Sequence, residues 1–228
     1  VAPVDAVVGN PPFVRAGDLT PGRDHFRAHL DEFGSDGHTE HSDGDSPYAD
    51  GEAALSRRSD AYVYFVTHAT RFLRPGGRLG MVLPAKWLES DYGADFRRFL
   101  ADQYRVRAVV GFGARAFDAL VDTVLLLAER RERSGAVERS ENGDGSARGD
   151  VSFVRLEEPL EPSSTLSDLV GDDPAAGNRV GPARVVRRDR SSFATAEKCS
   201  PYLRAPADLL PLLDHPPFVP LGALADVS

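Results

Sequence analysis

The tightest constraint on this chain is the stretch Val4-Asp5-Ala6-Val7-Val8-Gly9-Asn10-Pro11-Pro12-Phe13. A short apolar run carrying two β-branched valines and stopped by a glycine predicts a buried strand of a parallel sheet over residues 6–8. Parallel strands need crossovers between them, usually helical, which points to an α/β fold. Open α/β sheets bind ligands just beyond the carboxyl ends of their strands. A polar amide, two prolines and an aromatic stand at that place here.

The four residues have a chemical use. An amino group conjugated to a ring, such as that of adenine, is a poor nucleophile because its lone pair is delocalised. Two acceptors aimed at its N–H bonds draw the nitrogen toward a tetrahedral form and localise the pair. Asn10 offers a side-chain carbonyl and Pro11 a backbone carbonyl. Successive prolines fix φ and confine the preceding residue to extended conformations, so the acceptors are held in one geometry and are preorganised. Phe13 supplies a flat face for an extruded base, worth about 1–3 kcal/mol of stacking. The alternative is a strand ending in an Asn-Pro turn, with Phe13 tucked into the core.

Helical and strand patterns alternate downstream. Residues 61–73 place Tyr62, Phe65, Ala69 and Phe72 on one face of an amphipathic helix that Asp60 caps or begins and Pro75-Gly76-Gly77 ends. Such a stripe favours core packing over a site role for Tyr62 and Phe65. A strand is expected over 79–83, and Pro84-Ala85-Lys86-Trp87 leaves its carboxyl end as a second contribution to the cleft. Lys86 reads as a solvated lysine or as a contact for a phosphate. Phe96, Phe99, Leu100 and Tyr104 continue as a helix. A strand over 106–110 enters Gly111-Phe112-Gly113, and Phe117 follows in a loop before a strand over 123–128. Further strands are expected over 151–156 and 183–186. Before them, residues 16–57 open with a helix carrying Phe26, Leu30 and Phe33 and pass into a polar loop over 34–52.

A chain of 228 residues, 41% hydrophobic, can bury a core in one or two domains. It carries no run long enough to span a membrane and no signal peptide, and a cytoplasmic protein is expected. With Cys199 its single cysteine, an internal disulfide and a cysteine-built zinc site are excluded. His38 and His41 beside Glu40 and Asp43 lack an apolar frame to hold a metal, and none is expected. The net charge of −8 is the wrong sign for a polyanion's partner, but the acids concentrate in 31–50 and 138–173, and steering depends on local potential. Lys86 and Lys198 are the only lysines, a bias that resembles the acidic proteomes of salt-loving microbes.

Several ordered blocks together resemble the TaqI-like adenine-specific DNA methyltransferases. Asn10 to Phe13 matches their aromatic-ended Asn-Pro-Pro motif. Ser59-Asp60-Ala61-Tyr62-Val63-Tyr64-Phe65 matches the next block and runs through a helix into Phe72 to Leu88. Gly113-Ala114-Arg115-Ala116-Phe117 and 121–127 match a further one. The resemblance implies a partial Rossmann-like methyltransferase sheet with helices on both faces, followed by a small irregular β-containing segment. It further implies S-adenosylmethionine as cofactor, double-stranded DNA with a flipped adenine as partner, and an association with restriction or defence components. Asn10, Pro11, Pro12 and Phe13 become the catalytic residues, with Phe13 and Phe117 on either side of the base and Asn10 also toward the cofactor.

The family's glycine-rich turn and acidic cofactor residue are not found in this sequence. The chain is therefore expected to be the second half of a catalytic domain over 1–130. A linker or exposed insertion over 131–150 and a β-containing segment over 151–228, leading into a truncated target-recognition domain, complete the expected organisation. Two alternatives stay open. The motif also serves methyltransferases of protein glutamine or RNA amino groups, and the fragment could be an inactive recognition or interaction piece.

Overall fold

A computed structural model describes residues 2–15, 17–18, 55, 58–113, 122–132, 150–158, 179–180, 183–206 and 208–210. In chain order the described elements are strand β1 (Val4–Gly9), helix α1 (Ala61–Thr70), strand β2 (Leu73–Pro84), a 3-10 turn (Ala85–Leu88), helix α2 (Asp91–Gln103), and strands β3 (Tyr104–Phe112), β4 (Thr123–Arg130), β5 (Val151–Leu156), β6 (Arg179–Val180) and β7 (Ala183–Arg188), then short helices α3 (Arg190–Thr195) and α4 (Ser200–Arg204). The described strands form one sheet in the order β1-β2-β4-β3-β5-β7-β6.

The pairing directions decide where a site can lie. β1 is parallel to β2 and β3 to β5, whereas β4 runs antiparallel between β2 and β3. Hence β1, β2, β3 and β5 all point one way and their carboxyl ends share one edge of the sheet. β4 starts at that edge, because Thr123 faces Pro84 and Val124 faces Gly111. The α/β architecture expected from the alternating patterns is present, and β5 and β7 belong to the same sheet as the preceding strands, since β5 bonds to β3 and β7 to β5.

Alternation along the strands separates two apolar clusters. On one face, Leu79, Met81, Leu83, Val124, Leu126 and Phe153 meet side chains from α1, α2, α3 and α4. On the other, Ala108, Val110, Val154, Leu156, Ala183 and Val185 gather with Leu125 and Leu127, and the cluster contains strand residues only among those described. The centre of the first cluster is aromatic: Trp87 meets Phe96 edge-on at 5.4 Å and Phe193 at 6.4 Å. Each such buried ring contributes about 1.5–3 kcal/mol of transfer free energy.

Four expectations need correction. The strand over 6–8 exists, but it is not buried: among the described residues β1 is the sheet's edge, and Val8 is 81% exposed. Only Val7 of its valines packs against the first cluster. Second, Phe65 is 43% exposed while Tyr62, Val63, Tyr64 and Val66 are buried. α1 is enclosed on nearly every side rather than along one stripe. Its threonines turn their hydroxyls back onto the helix, Thr67 donating to the Val63 carbonyl and Thr70 lying 2.9 Å from that of Val66. Third, Pro75-Gly76-Gly77 does not end that helix, which stops at Thr70 with Arg71 as its C-cap. The three residues form a bulge in β2, where the pairing jumps from Val4 opposite Leu73 to Ala6 opposite Arg78. Gly76 takes the left-handed φ of 73° that such a bulge needs. Tyr104, too, begins β3 instead of closing the preceding helix, and its hydroxyl meets that of Thr70 at 2.6 Å.

Candidate active site

Asn10 to Phe13 leave β1 on the carboxyl edge of the sheet, beside the end of β2, since Gly9 pairs with Met81. Asn10 is exposed, Pro11 is buried, Pro12 is exposed and Phe13 is half-buried. A proline sunk into the protein below an open amide gives the corner its footing, and the ring of Phe13 keeps part of its surface accessible. The corner is also tied down behind. The Ala61 amide donates to the Val14 carbonyl at 3.0 Å, which joins the segment to the first turn of α1.

Asp60 precedes that turn and occupies the N-cap position, but its carboxylate caps nothing. It accepts instead from the Tyr92 hydroxyl at 2.9 Å, and the Tyr62 hydroxyl lies 2.7 Å from that of Tyr92. Tyr92 has one proton to give and gives it to Asp60, so Tyr62 must be the donor to Tyr92. Burial pushes the Tyr92 phenol up to about 12, with the Asp60 charge adding to the effect and the Tyr62 hydrogen bond opposing it. The Tyr62 phenol is raised as well, mainly by burial and then by Tyr92. Both stay protonated near neutrality. Lys86 completes the group, with its Nζ 3.8 Å from Asp60 Oδ2 and 5.6 Å from the centre of the Tyr92 ring. Sequence reasoning found Asp60 and Lys86 but not their union. The signal at Asp60 was a capping signal, and Tyr92 carries no local pattern that points to a partner 32 residues away.

The 3-10 turn that bears Lys86 is fixed from several directions. The Ala85 amide donates to the Asp122 carbonyl at 2.7 Å, and the Cys199 amide to the Leu88 carbonyl at 2.6 Å. Gly93 of α2 packs directly on it: a Cβ there would stand 1.9 Å from the Trp87 carbonyl oxygen. Arg97, fully buried, donates through Nη1 to that oxygen at 2.7 Å and through Nη2 to the carbonyls of Ala196 and Glu197 at 2.7 and 3.1 Å. Arg204 of α4 bridges Glu89 at 3.1 Å and Asp122 at 3.0 Å.

Phe117, the second expected base-flanking residue, lies outside the described residues. Its described flanks are on the same edge as Asn10: Gly113 donates to the Leu156 carbonyl at 2.6 Å, and Asp122 is held by Ala85. His38 and His41 also lie outside the described residues. Among the described residues no group of three or more His, Cys, Asp or Glu side chains could hold a metal ion, and no helix is long and apolar enough to cross a membrane.

The fold of this mixed sheet is shared with the crystal structure of the type IIG restriction endonuclease BpuSI, which matches with a TM-score of 0.50 at 15% identity, over 86% of this chain and 21% of that one. The chain belongs to the Eco57I restriction-modification methylase family, whose profile matches residues 3–117 and so includes the whole Asn10 to Phe13 corner. Among curated proteins it is 24% identical over 166 residues to the type II methyltransferase M.BanIII of Aneurinibacillus aneurinilyticus, which covers 72% of this chain and 23% of that protein. It is 29% identical over 106 residues to M.BstVI of Geobacillus stearothermophilus, covering 46% of this chain and 15% of that protein. The chain thus spans a quarter or less of the length of these relatives.

Proposed function

We propose that the protein carrying this chain is a DNA methyltransferase that modifies the exocyclic amino group of adenine, working in the cytoplasm beside restriction components. The observation that carries this reading is the corner itself: an exposed Asn10 amide on a buried Pro11, followed by a half-buried Phe13, at the edge where the parallel strands end. An adenine in a duplex cannot reach this corner, so the base must rotate out of the stack. Asn10 Oδ1 and the Pro11 carbonyl accept the two amino hydrogens, and Phe13 stacks on the ring. Phe117 closes the other side.

S-adenosylmethionine, when bound, supplies an electrophilic methyl group on a sulfonium that is also the leaving group. The described residues fit the acceptor half of such a transfer, because the open amide can face both the amino group and the methyl donor. On taking that methyl group the amino nitrogen would become cationic and would pass one proton to solvent water. Asn10 and Pro11 stabilise that developing charge through the N–H bonds they accept. Holding nitrogen and methyl in line is the protein's main contribution.

The test is transfer of labelled methyl from S-adenosylmethionine to duplex DNA by the protein carrying this chain. Asn10→Ala is expected to lower kcat by at least 100-fold, roughly what loss of one preorganised polar contact costs, while the affinity for DNA stays within about twofold. Undiminished turnover removes Asn10 from the mechanism.

A further inference from the structure

Lys86 is 53% exposed in its side chain, yet its ammonium is not free to wander. It is fixed between the Asp60 carboxylate, whose side chain is 9% exposed, and the face of the Tyr92 ring. The Asp60 oxygen that faces it already accepts the Tyr92 hydroxyl, and 3.8 Å is too long for a direct hydrogen bond from Nζ. The pairing therefore neutralises a buried charge and constrains the lysine, which stays half-exposed, without using up its N–H donors.

Its place in the fold gives that aim a target. The turn Ala85–Leu88 follows β2, which pairs with β1, the strand that leads into Asn10, and the Ala85 amide donates to the carbonyl of Asp122, the residue before β4. Lys86 thus stands at the carboxyl edge of the sheet, between the end of β1 and the start of β4. A nucleotide extruded into that edge brings its flanking phosphates with it. We propose that Lys86 is a phosphate contact for the DNA strand that carries the extruded base, with Asp60 and Tyr92 as the positioning residues that hold the ammonium outward. The inference rests on the DNA-modifying reading above and assigns one backbone contact within it.

A single phosphate contact has a signature that a counter-ion lacks. Each neutralised phosphate contributes about 0.9 to the slope of log affinity against log salt, or about eightfold in affinity at 0.1 M salt. The experiment is fluorescence anisotropy of a labelled duplex with the protein carrying this chain, across a salt series, on target and non-target sequences. Lys86→Met is expected to lower the slope by about 0.9 on both sequences, as a contact that carries no base information must. Lys86→Arg is expected to restore it. The double variant Lys86→Met with Asp60→Asn removes both charges of the pair and spares the fold an uncompensated carboxylate; it is expected to show the same reduced slope. An unchanged slope in the single and double variants overturns the proposal and leaves Lys86 as the counter-ion of Asp60. An unaltered protein that binds no duplex overturns the DNA-modifying reading and the inference with it. Methylation that proceeds normally alongside an unchanged slope overturns the inference alone.

Discussion

Gly93→Ala sets helix propensity against tertiary contact. Gly93 lies in the first turn of α2, and in an isolated helix alanine is favoured over glycine by about 1 kcal/mol. In this fold the added Cβ would sit 1.9 Å from the Trp87 carbonyl oxygen, 2.7 Å from its carbon and 3.0 Å from the Trp87 Cα. These are backbone atoms and cannot rotate aside, so α2 and the turn must separate. Overpacking of this kind costs about 1–3 kcal/mol or more. The displaced oxygen is also the acceptor of Arg97 Nη1 at 2.7 Å, a hydrogen bond to a charged group worth about 1.5–3 kcal/mol. Setting these against the propensity gain leaves a net loss of about 1.5–5 kcal/mol. Urea unfolding followed by circular dichroism is the assay. With a slope of about 2–3 kcal/mol/M, the midpoint should fall by about 1 M. Gly17→Ala, whose Cβ would meet nothing within 4 Å, is the control and should leave the midpoint in place. A Gly93→Ala midpoint that is unchanged or higher refutes the argument, because propensity would then have outweighed the contact.

Two further perturbations probe the same corner. Arg97→Met leaves the Trp87, Ala196 and Glu197 carbonyls without their buried donor and should destabilise the chain by about 3 kcal/mol or more, lowering the thermal midpoint and loosening the 196–199 segment in hydrogen exchange. Cys199, the single cysteine, is buried, and burial pushes its thiol up to about 11 from an ordinary 9.0, with Arg97 opposing. It should resist a disulfide reagent in the folded chain and react on unfolding. The fold favours the protonated thiol, so its contribution is fully present below pH 9 and is lost as pH rises toward 11. Cys199→Ala should therefore flatten the alkaline fall in urea midpoint over that window, and a parallel fall in both proteins excludes the thiol as its source.

How much of this was legible in advance follows from the range of each force. Strand and helix patterns depend on neighbours within a few residues, and the strands over 79–83, 106–110, 123–128, 151–156 and 183–186 all lie inside observed ones. The Asn-Pro-Pro-Phe corner declared itself for the same reason: two prolines and a stop after a β-branched run dictate local geometry whatever surrounds them. Burial was less legible. Val8 reads as core by composition and Phe65 by spacing, but whether a side chain is covered depends on what is packed over it.

By itself, then, the sequence determined an α/β chain with a stiff polar corner after its first strand, because those features are encoded in backbone restrictions and short periods. The tertiary structure alone decided that β4 would slide between β2 and β3 and bring Asp122 to Ala85. It likewise decided that Asp60 would serve Tyr92 and Lys86 in place of its own helix, and that Arg97 would find carbonyls 99 and 100 residues away. A buried carboxylate or guanidinium takes whichever partner relieves its desolvation, and only the assembled fold fixes which partners come within reach.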